Sequence, residues 1–360
     1  MKKQKTDVFL LVTIILLLVV GFLALATASI PLSLKLTGNA TYYLFHQILF
    51  GLIPGLILGF IAFKVPLNKV KKFSIYFFIF SIILMFLVFV PGFSKSELGA
   101  TRWLDLGFVS MQPSEFLKLA VIFYLATILD DQKNRKKFLA FSIVLVLVCS
   151  VLILQRDTGT LFVIFVTSLA MFFCSKTPIK QTLLIMATAA VGFFALITFS
   201  PYRAQRIFSF LNPNADVLGA SYHINQSLIT IGSGGLLGSG LGLGMQKLGF
   251  VPQGMSDSIF TILAEEVGFI GCSLLIILFL FFFFRVVVLA KKVDNQYLKL
   301  MTIGIGSWII VQTFVNIGAM TGMVPLTGIP LPFISYGGSH LIAELIACGV
   351  LLNISKRHIL

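Results

Sequence analysis

Asp257 stands in the stretch VPQGMSDSIFTILAEEVGF, at the mouth of a long apolar run where an unpaired carboxylate is costly. A carboxylate there can accept a proton, and cations gathered beside it can hold phosphate. The chain offers several such groups. Arg102 precedes Trp103, Glu115 and Lys118 are three residues apart, and Arg156 precedes Asp157 in QRDTGT. Arg203, Arg206, His223 and Lys247 follow, and Ser335 lies beside Tyr336 in a stretch rich in Pro and Gly. Each also has a plainer structural role. Ser256 is a good N-cap, which puts Asp257 in the first turn of a helix, where the dipole and free N–H groups favour its ionised form. Glu115 and Lys118 share one helix face and would neutralise one another. Arg102 and Trp103 could anchor the chain at an interface, Arg156 and Asp157 could satisfy a helix end, and any single loop cation is commonly solvated. Glu265 and Glu266 fall about 12–13 Å deeper along the same helix, so that one of them could face a polar cavity.

The elements that must position these residues follow from composition. About 58% of the 360 residues are apolar and 11% are charged, which excludes an ordinary soluble chain and marks a membrane protein. Apolar runs of roughly 17–25 residues, each able to cross a hydrocarbon core about 30 Å thick, recur along the whole length. They predict ten spans, centred near Leu17, Ile57, Ile82, Ile122, Val146, Val166, Ala190, Leu274, Ile310 and Leu345. The first run, from Val8 to Ala26, exceeds the ~7–15 residues of a secretory h-region and reads as a retained span. With the amino terminus inside, inner segments hold about 19 of the 27 Lys and Arg residues, among them Lys2, Lys3, Lys5, Lys133, Arg135, Lys136 and Lys180. Both termini are therefore expected in the cytoplasm. The net charge of +14 then reflects topology and anionic lipid heads, with no call for a nucleic-acid partner. Cys149, Cys174, Cys272 and Cys348 lack CxxC or Cys/His spacing and read as packing residues, with no metal site.

The expected architecture is all-α: a polytopic integral membrane protein whose residues 1–360 form one transmembrane domain. Two outer connections are long, residues 91–113 and 200–257, and the second is a large structured extracytoplasmic loop. That loop carries ITIGSGGLLGSGLGLG, which has no GK[ST], no preceding strand pattern and no GxGxxG spacing, so it is no phosphate loop. Its glycines are expected to pack a re-entrant or surface segment closely against the bundle. Three prolines and several glycines in MVPLTGIPLPFISYGGS predict broken helix buried in protein or lining a cavity. The halves show no repeat.

Taken together, GATRWLDLG with QPSEFLK, QRDTGT, QSLITIGSGGLLGSGLG with QKLGFVP, SDSIFTILAEEVGFIG and NIGAMTGMVPLTGIPLPFISYGGS resemble the SEDS family (shape, elongation, division and sporulation), which includes FtsW, RodA and SpoVE. The segments stand in family order and spacing over most of the chain from Gly99 onward. QSLI and QKL lean towards the FtsW branch and GIPLPFISYGG towards RodA, with a slight balance for FtsW. The pattern departs where the family commonly reads PEAHTDFIF: Gln253, Met255 and Ser258 replace a Glu, a His and a Phe. Arg156 likewise stands where a proline is usual.

The resemblance implies a peptidoglycan glycosyltransferase of the bacterial cytoplasmic membrane that polymerises lipid II on the outer side, partnered by a class B penicillin-binding protein. The family's essential acid falls on Asp257, and its Arg-Trp pair and Glu/Lys helix positions on Arg102, Trp103, Glu115 and Lys118. Substrate contacts are expected among these, Arg156, Asp157, Arg203, Arg206, Lys247 and Ser335. Family chemistry implies inversion at the anomeric carbon, which needs a base, Asp257, and positive charge for the departing pyrophosphate. No cofactor is assigned, although a divalent cation, Mg or Mn, could share that clamp. Two rival readings are a lipid II flippase and a non-enzymatic scaffold for the transpeptidase. A flippase needs polar groups through the inner leaflet too, whereas the polar residues here cluster outward.

Overall fold

The computed structural model describes residues 6–97, 100–105, 107, 110–130, 137–213, 215, 216, 219 and 221–358. Lys2, Lys3, Lys5, Lys133, Arg135 and Lys136 lie outside them, as do Gly99 and Leu106 of the first-loop motif and positions 214, 217, 218 and 220 of the second loop.

The apolar runs fold as helices because a backbone without water must satisfy its own N–H and C=O groups. In chain order they are α1 (Val8–Ala28), α2 (Ile30–Thr37), α3 (Tyr42–Gln47), α4 (Ile53–Lys64), α5 (Leu67–Leu87), α6 (Pro113–Asp130), α7 (Lys137–Leu154), α8 (Thr158–Cys174) and α9 (Ile179–Thr198). Then come α10 (Pro201–Leu211), α11 (Tyr222–Ser233), α12 (Ile259–Lys292), α13 (Gln296–Met320) and α14 (Gly338–His358). A π-helical turn over Ile48–Leu52 joins α3 to α4, so that these act as one span, Tyr42–Lys64. Among the described residues, eight segments are long and apolar enough to cross a membrane. The other two expected spans are also helical. One is α6, which carries Glu115, Lys118 and Asp130, and the other is α8, of only 17 residues.

Lipid tails offer no hydrophobic drive for one helix to leave them for another, so the bundle is held by close packing and internal polar contacts. The approach of α14 to α4 is the tightest example. Gly55 and Gly59 face it one turn apart, and a Cβ on Gly59 would come within 2.7 Å of the Leu345 carbonyl oxygen. At the centre, α13 packs against α6, α8 and α12, with Trp308 fully buried between them.

Both long connections contain secondary structure that pattern alone did not reveal. Within residues 91–113 lies a small antiparallel sheet, β1 (Ser94–Glu97), β2 (Ala100–Asp105) and β3 (Ser110–Met111), the one departure from all-α structure among the described residues. Residues 200–257 hold α10, α11 and the glycine-rich run. Here α12 is broken at Gly268, whose φ of 64° and ψ of −168° lie outside the helical region. The glycine-rich backbone fills the break: Ser239 and Gly240 donate to the carbonyls of Glu265 and Glu266, while Phe269 and Ile270 donate to those of Gly235 and Leu236. A Cβ at Gly238 would sit 2.2 Å from the Glu266 carbonyl oxygen, so the close packing expected of the glycines holds here.

Two local expectations are corrected. The eighth span begins at Ile259 with Ser258 as its N-cap, not at Ser256, and Asp257 precedes its first turn. The reason is a tight turn in which the N–H groups of Ser256 and Ser258 both donate to the Gln253 carbonyl, at 3.0 and 3.3 Å. Asp157, rather than ending α7 with its side chain, caps α8 by accepting from Thr160 N at 3.1 Å, while its own N–H closes α7 on Leu152 O.

Candidate active site

Asp257 is held from two sides before any substrate enters. Asn316, on α13, donates from Nδ2 to the Asp257 carbonyl at 2.8 Å and to the Ile329 carbonyl at 2.7 Å, tying the turn ahead of α12 to the proline-rich last loop. Ser335 donates its hydroxyl to the Ser256 carbonyl, and Tyr336 N donates to Met255 O at 2.9 Å. On the other side, His223 Nε2 lies 2.7 Å from Ser258 Oγ, which donates to Pro252 O at 2.8 Å. That hydroxyl has only one proton, so it must accept from His223, which fixes the Nε2–H tautomer.

The Asp257 carboxyl lines a cavity of about 320 Å³ walled by Gln205, Arg206, His223, Gln253, Met320 and Gly328, among others. Burial raises its pKa to about 6, against the pull of Arg102 and Arg206 and with a further push from Asp157. His223 moves oppositely: burial, then Arg206, lowers it to about 4, so it is neutral at pH 7. Arg102 donates to the carbonyls of Gln155 and Arg156, and Arg156 adopts a left-handed φ of 58°. Arg206 donates to Leu326 O at 2.9 Å. Burial and the neighbouring Arg156 both lower the Arg203 pKa. The fold thus gathers Asp257, the Arg156–Asp157 pair, Arg102, Arg203 and Arg206 from four separate stretches of the sequence.

Five of the expected site residues lie elsewhere. Lys247 does not line the cavity; it donates to Glu266 at 2.6 Å, and Glu266 also accepts from Thr27. Its neighbour Glu265 accepts from the N–H groups of Met245 and Gln246, so both acids serve the glycine-rich run and neither lines the Asp257 cavity. Lys118 and Glu115 form a salt bridge of 2.8 Å, each side chain 1% exposed, inside the bundle. Lys118 also donates to Gln312 Oε1 at 2.7 Å and lies over the Trp308 ring. Ser335 is buried, its hydroxyl committed to backbone partners, and Trp103 lies on β2 opposite Lys95, away from the cavity lining. Sequence reasoning missed Gln312 and Asn316. Two amides four residues apart in an apolar span were the available signal.

Among the described residues no three His, Cys, Asp or Glu side chains group as a metal cage. A hard divalent ion needs only one or two carboxylates, completing its shell with water and phosphate oxygens. Asp157, whose buried Oδ2 has no hydrogen-bond partner, and Asp257 are the acids that would meet that demand, and the ion would offset charge on a phosphate.

A family model named FTSW_RODA_SPOVE, described as cell cycle protein, matches residues 8–359. The chain is 36% identical to the probable peptidoglycan glycosyltransferase FtsW of Coxiella burnetii over 368 residues, 99% of either chain. It is 37% identical to stage V sporulation protein E of Bacillus subtilis, covering 99% of this chain and 98% of that one. Its fold matches a chain from a solved peptidoglycan synthase complex that coordinates polymerisation and crosslinking, with a TM-score of 0.80, 24% identity and 98% of each chain covered.

Proposed function

Since the chain belongs to the FtsW, RodA and SpoVE family, we propose that it is a peptidoglycan glycosyltransferase that polymerises lipid II at the outer face of the cytoplasmic membrane, with Asp257 as its general base. Relatives sharing over a third of its residues along nearly their whole length carry the name of that activity. The observation that carries the residue assignment is the Asp257 carboxyl, lining a cavity, tuned to about 6 and flanked by arginines.

The chemistry asks for two things at once. The acceptor sugar hydroxyl must lose its proton as its oxygen attacks the anomeric carbon, and the bond to the undecaprenyl pyrophosphate must break on the opposite face. A carboxylate with a pKa of about 6 is ionised at neutral pH yet basic enough to share that proton in the transition state. The pyrophosphate leaves with its negative charge, and guanidinium groups hold such oxygens with paired donors. Arg102, Arg156, Arg203 and Arg206 form that clamp. Net inversion turns the α-linked donor into a β-linked strand. Asp157 caps α8 and modulates its neighbour's charge.

Glu115 and Lys118 act at one remove, joining α6 to α13 through Gln312, whose Nε2 donates to Pro330 O in the last loop. A class B penicillin-binding protein is the partner, an assignment supported by the polymerising and crosslinking complex whose chain shares this fold.

Purified Asp257→Asn, assayed with labelled lipid II, is expected to lose polymerisation while keeping the wild-type melting temperature. A folded Asp257→Asn protein that polymerises at the wild-type rate excludes the base.

A further inference from the structure

Glu344 is a buried acid that neither the base nor the clamp uses. It lies on α14, fully buried, and one of its oxygens accepts from Phe333 N at 2.8 Å, while the other has no hydrogen-bond partner. It is not the counter-ion of Lys118, whose ammonium already bonds to Glu115 and Gln312.

Phe333 is the unusual residue in this contact. Its φ is 63°, a left-handed conformation that a bulky side chain seldom adopts, so something must hold it there. Glu344 grips its N–H. On the other side, its carbonyl faces Gly21 of α1, where even a Cβ would come within 2.2 Å. The knuckle so held closes on itself: Ser335 N donates to Leu331 O, and Leu331 N donates to Ser335 Oγ at 2.8 Å. That same hydroxyl donates to the Ser256 carbonyl, and the next residue's N–H donates to Met255 O. Hydrogen bonds, joined by the short stretch of chain from Phe333 to Ser335, therefore connect Glu344 to the residue before Asp257.

We infer that Glu344 is a positioning residue for the Asp257 carboxylate, locking the left-handed Phe333 so that the last loop holds the 255–257 turn against the cavity. The inference rests on the reading of Asp257 given above. A displacement of the base by about 1 Å costs on the order of 100-fold in rate, so removing the grip should lower kcat by about 10- to 100-fold. Substrate binding through the arginines should persist, leaving KM within about twofold.

Full-length protein in liposomes, assayed with labelled lipid II, tests this with variants at Glu344, Phe333, Ser335 and Asp257. Glu344→Gln keeps an acceptor for Phe333 N and is expected to stay within about threefold of wild type. Glu344→Leu loses kcat. Phe333→Gly removes the side chain that makes the left-handed φ costly, and placed in the Glu344→Leu background it should restore most of the lost kcat. A packing defect would instead be deepened by that second truncation. Wild-type kcat in Glu344→Leu overturns the inference, as does a loss that Phe333→Gly fails to restore. If Glu344→Leu does not fold, Ser335→Ala tests the next link, and an unchanged kcat there overturns it equally. Asp257→Asn run alongside separates the two readings: an active Asp257→Asn removes the base and this inference together, whereas an inactive one beside an unaffected Glu344→Leu removes only this inference.

Discussion

The charge on Asp257 is set by a contest that can be measured group by group. Burial raises the carboxyl to about 6, Arg102 and Arg206 restrain the rise, and Asp157 adds to it. A base must be ionised to act, so polymerisation should fall as pH drops through about 6 and level off above it. Arg206→Gln removes a restraint and should move that acidic limb to higher pH. Asp157→Asn removes a like charge yet retains an N-cap side chain, and should move it to lower pH. The pH–rate profiles of the three proteins check this, and limbs that coincide or shift the same way contradict it. Asp257 was readable in the sequence as an acid out of place. His223 was named only among the loop cations; its neutral state was not readable, because a loop histidine shows nothing of the Ser258 hydroxyl that fixes its tautomer.

Helices here are joined by polar contacts that single substitutions would sever. The Glu115–Lys118 pair is 1% exposed on each side and is completed by Gln312, which also accepts from Trp308 Nε1. Breaking a buried pair strands a charge, at a cost of about 3–5 kcal/mol, whereas replacing both partners with apolar residues costs far less. Lys118→Met should therefore lower the melting temperature more than Lys118→Met combined with Glu115→Leu. Thermal denaturation in detergent decides, and a double variant less stable than the single contradicts it. The i, i+3 spacing made this pair visible in advance. The break in α12 was not visible, because a single glycine such as Gly268 is tolerated inside a helix and its φ is chosen by the glycine-rich backbone that fills the gap. Lys247 shows the same limit: a cation in a loop reads as available, but the fold brings Glu266 to it.

At the scale of the whole molecule the reading fixes a direction across the membrane. A cysteine at Leu248, which is exposed in the second long loop, should react with an impermeant thiol reagent added to intact cells, in a background lacking the four native cysteines. A cysteine at the exposed Lys180 should react only after permeabilisation. Labelling with the opposite pattern inverts the topology and places Asp257 inside. Ten helices lie where ten apolar runs were read, because the length and hydropathy of a span answer to the bilayer and need no knowledge of neighbours. The acid at the head of α12 was likewise legible, since a polar group in an apolar run is costly wherever it ends up, and the amides of α13 carried the same signal but were missed. Which cations meet that acid, and which are consumed elsewhere, was decided only when α6, α8, α10 and the last loop closed on one another. Charge is written in the sequence, whereas the partner of a charge depends on distances between residues that belong to different elements of the fold, and these arise only from packing.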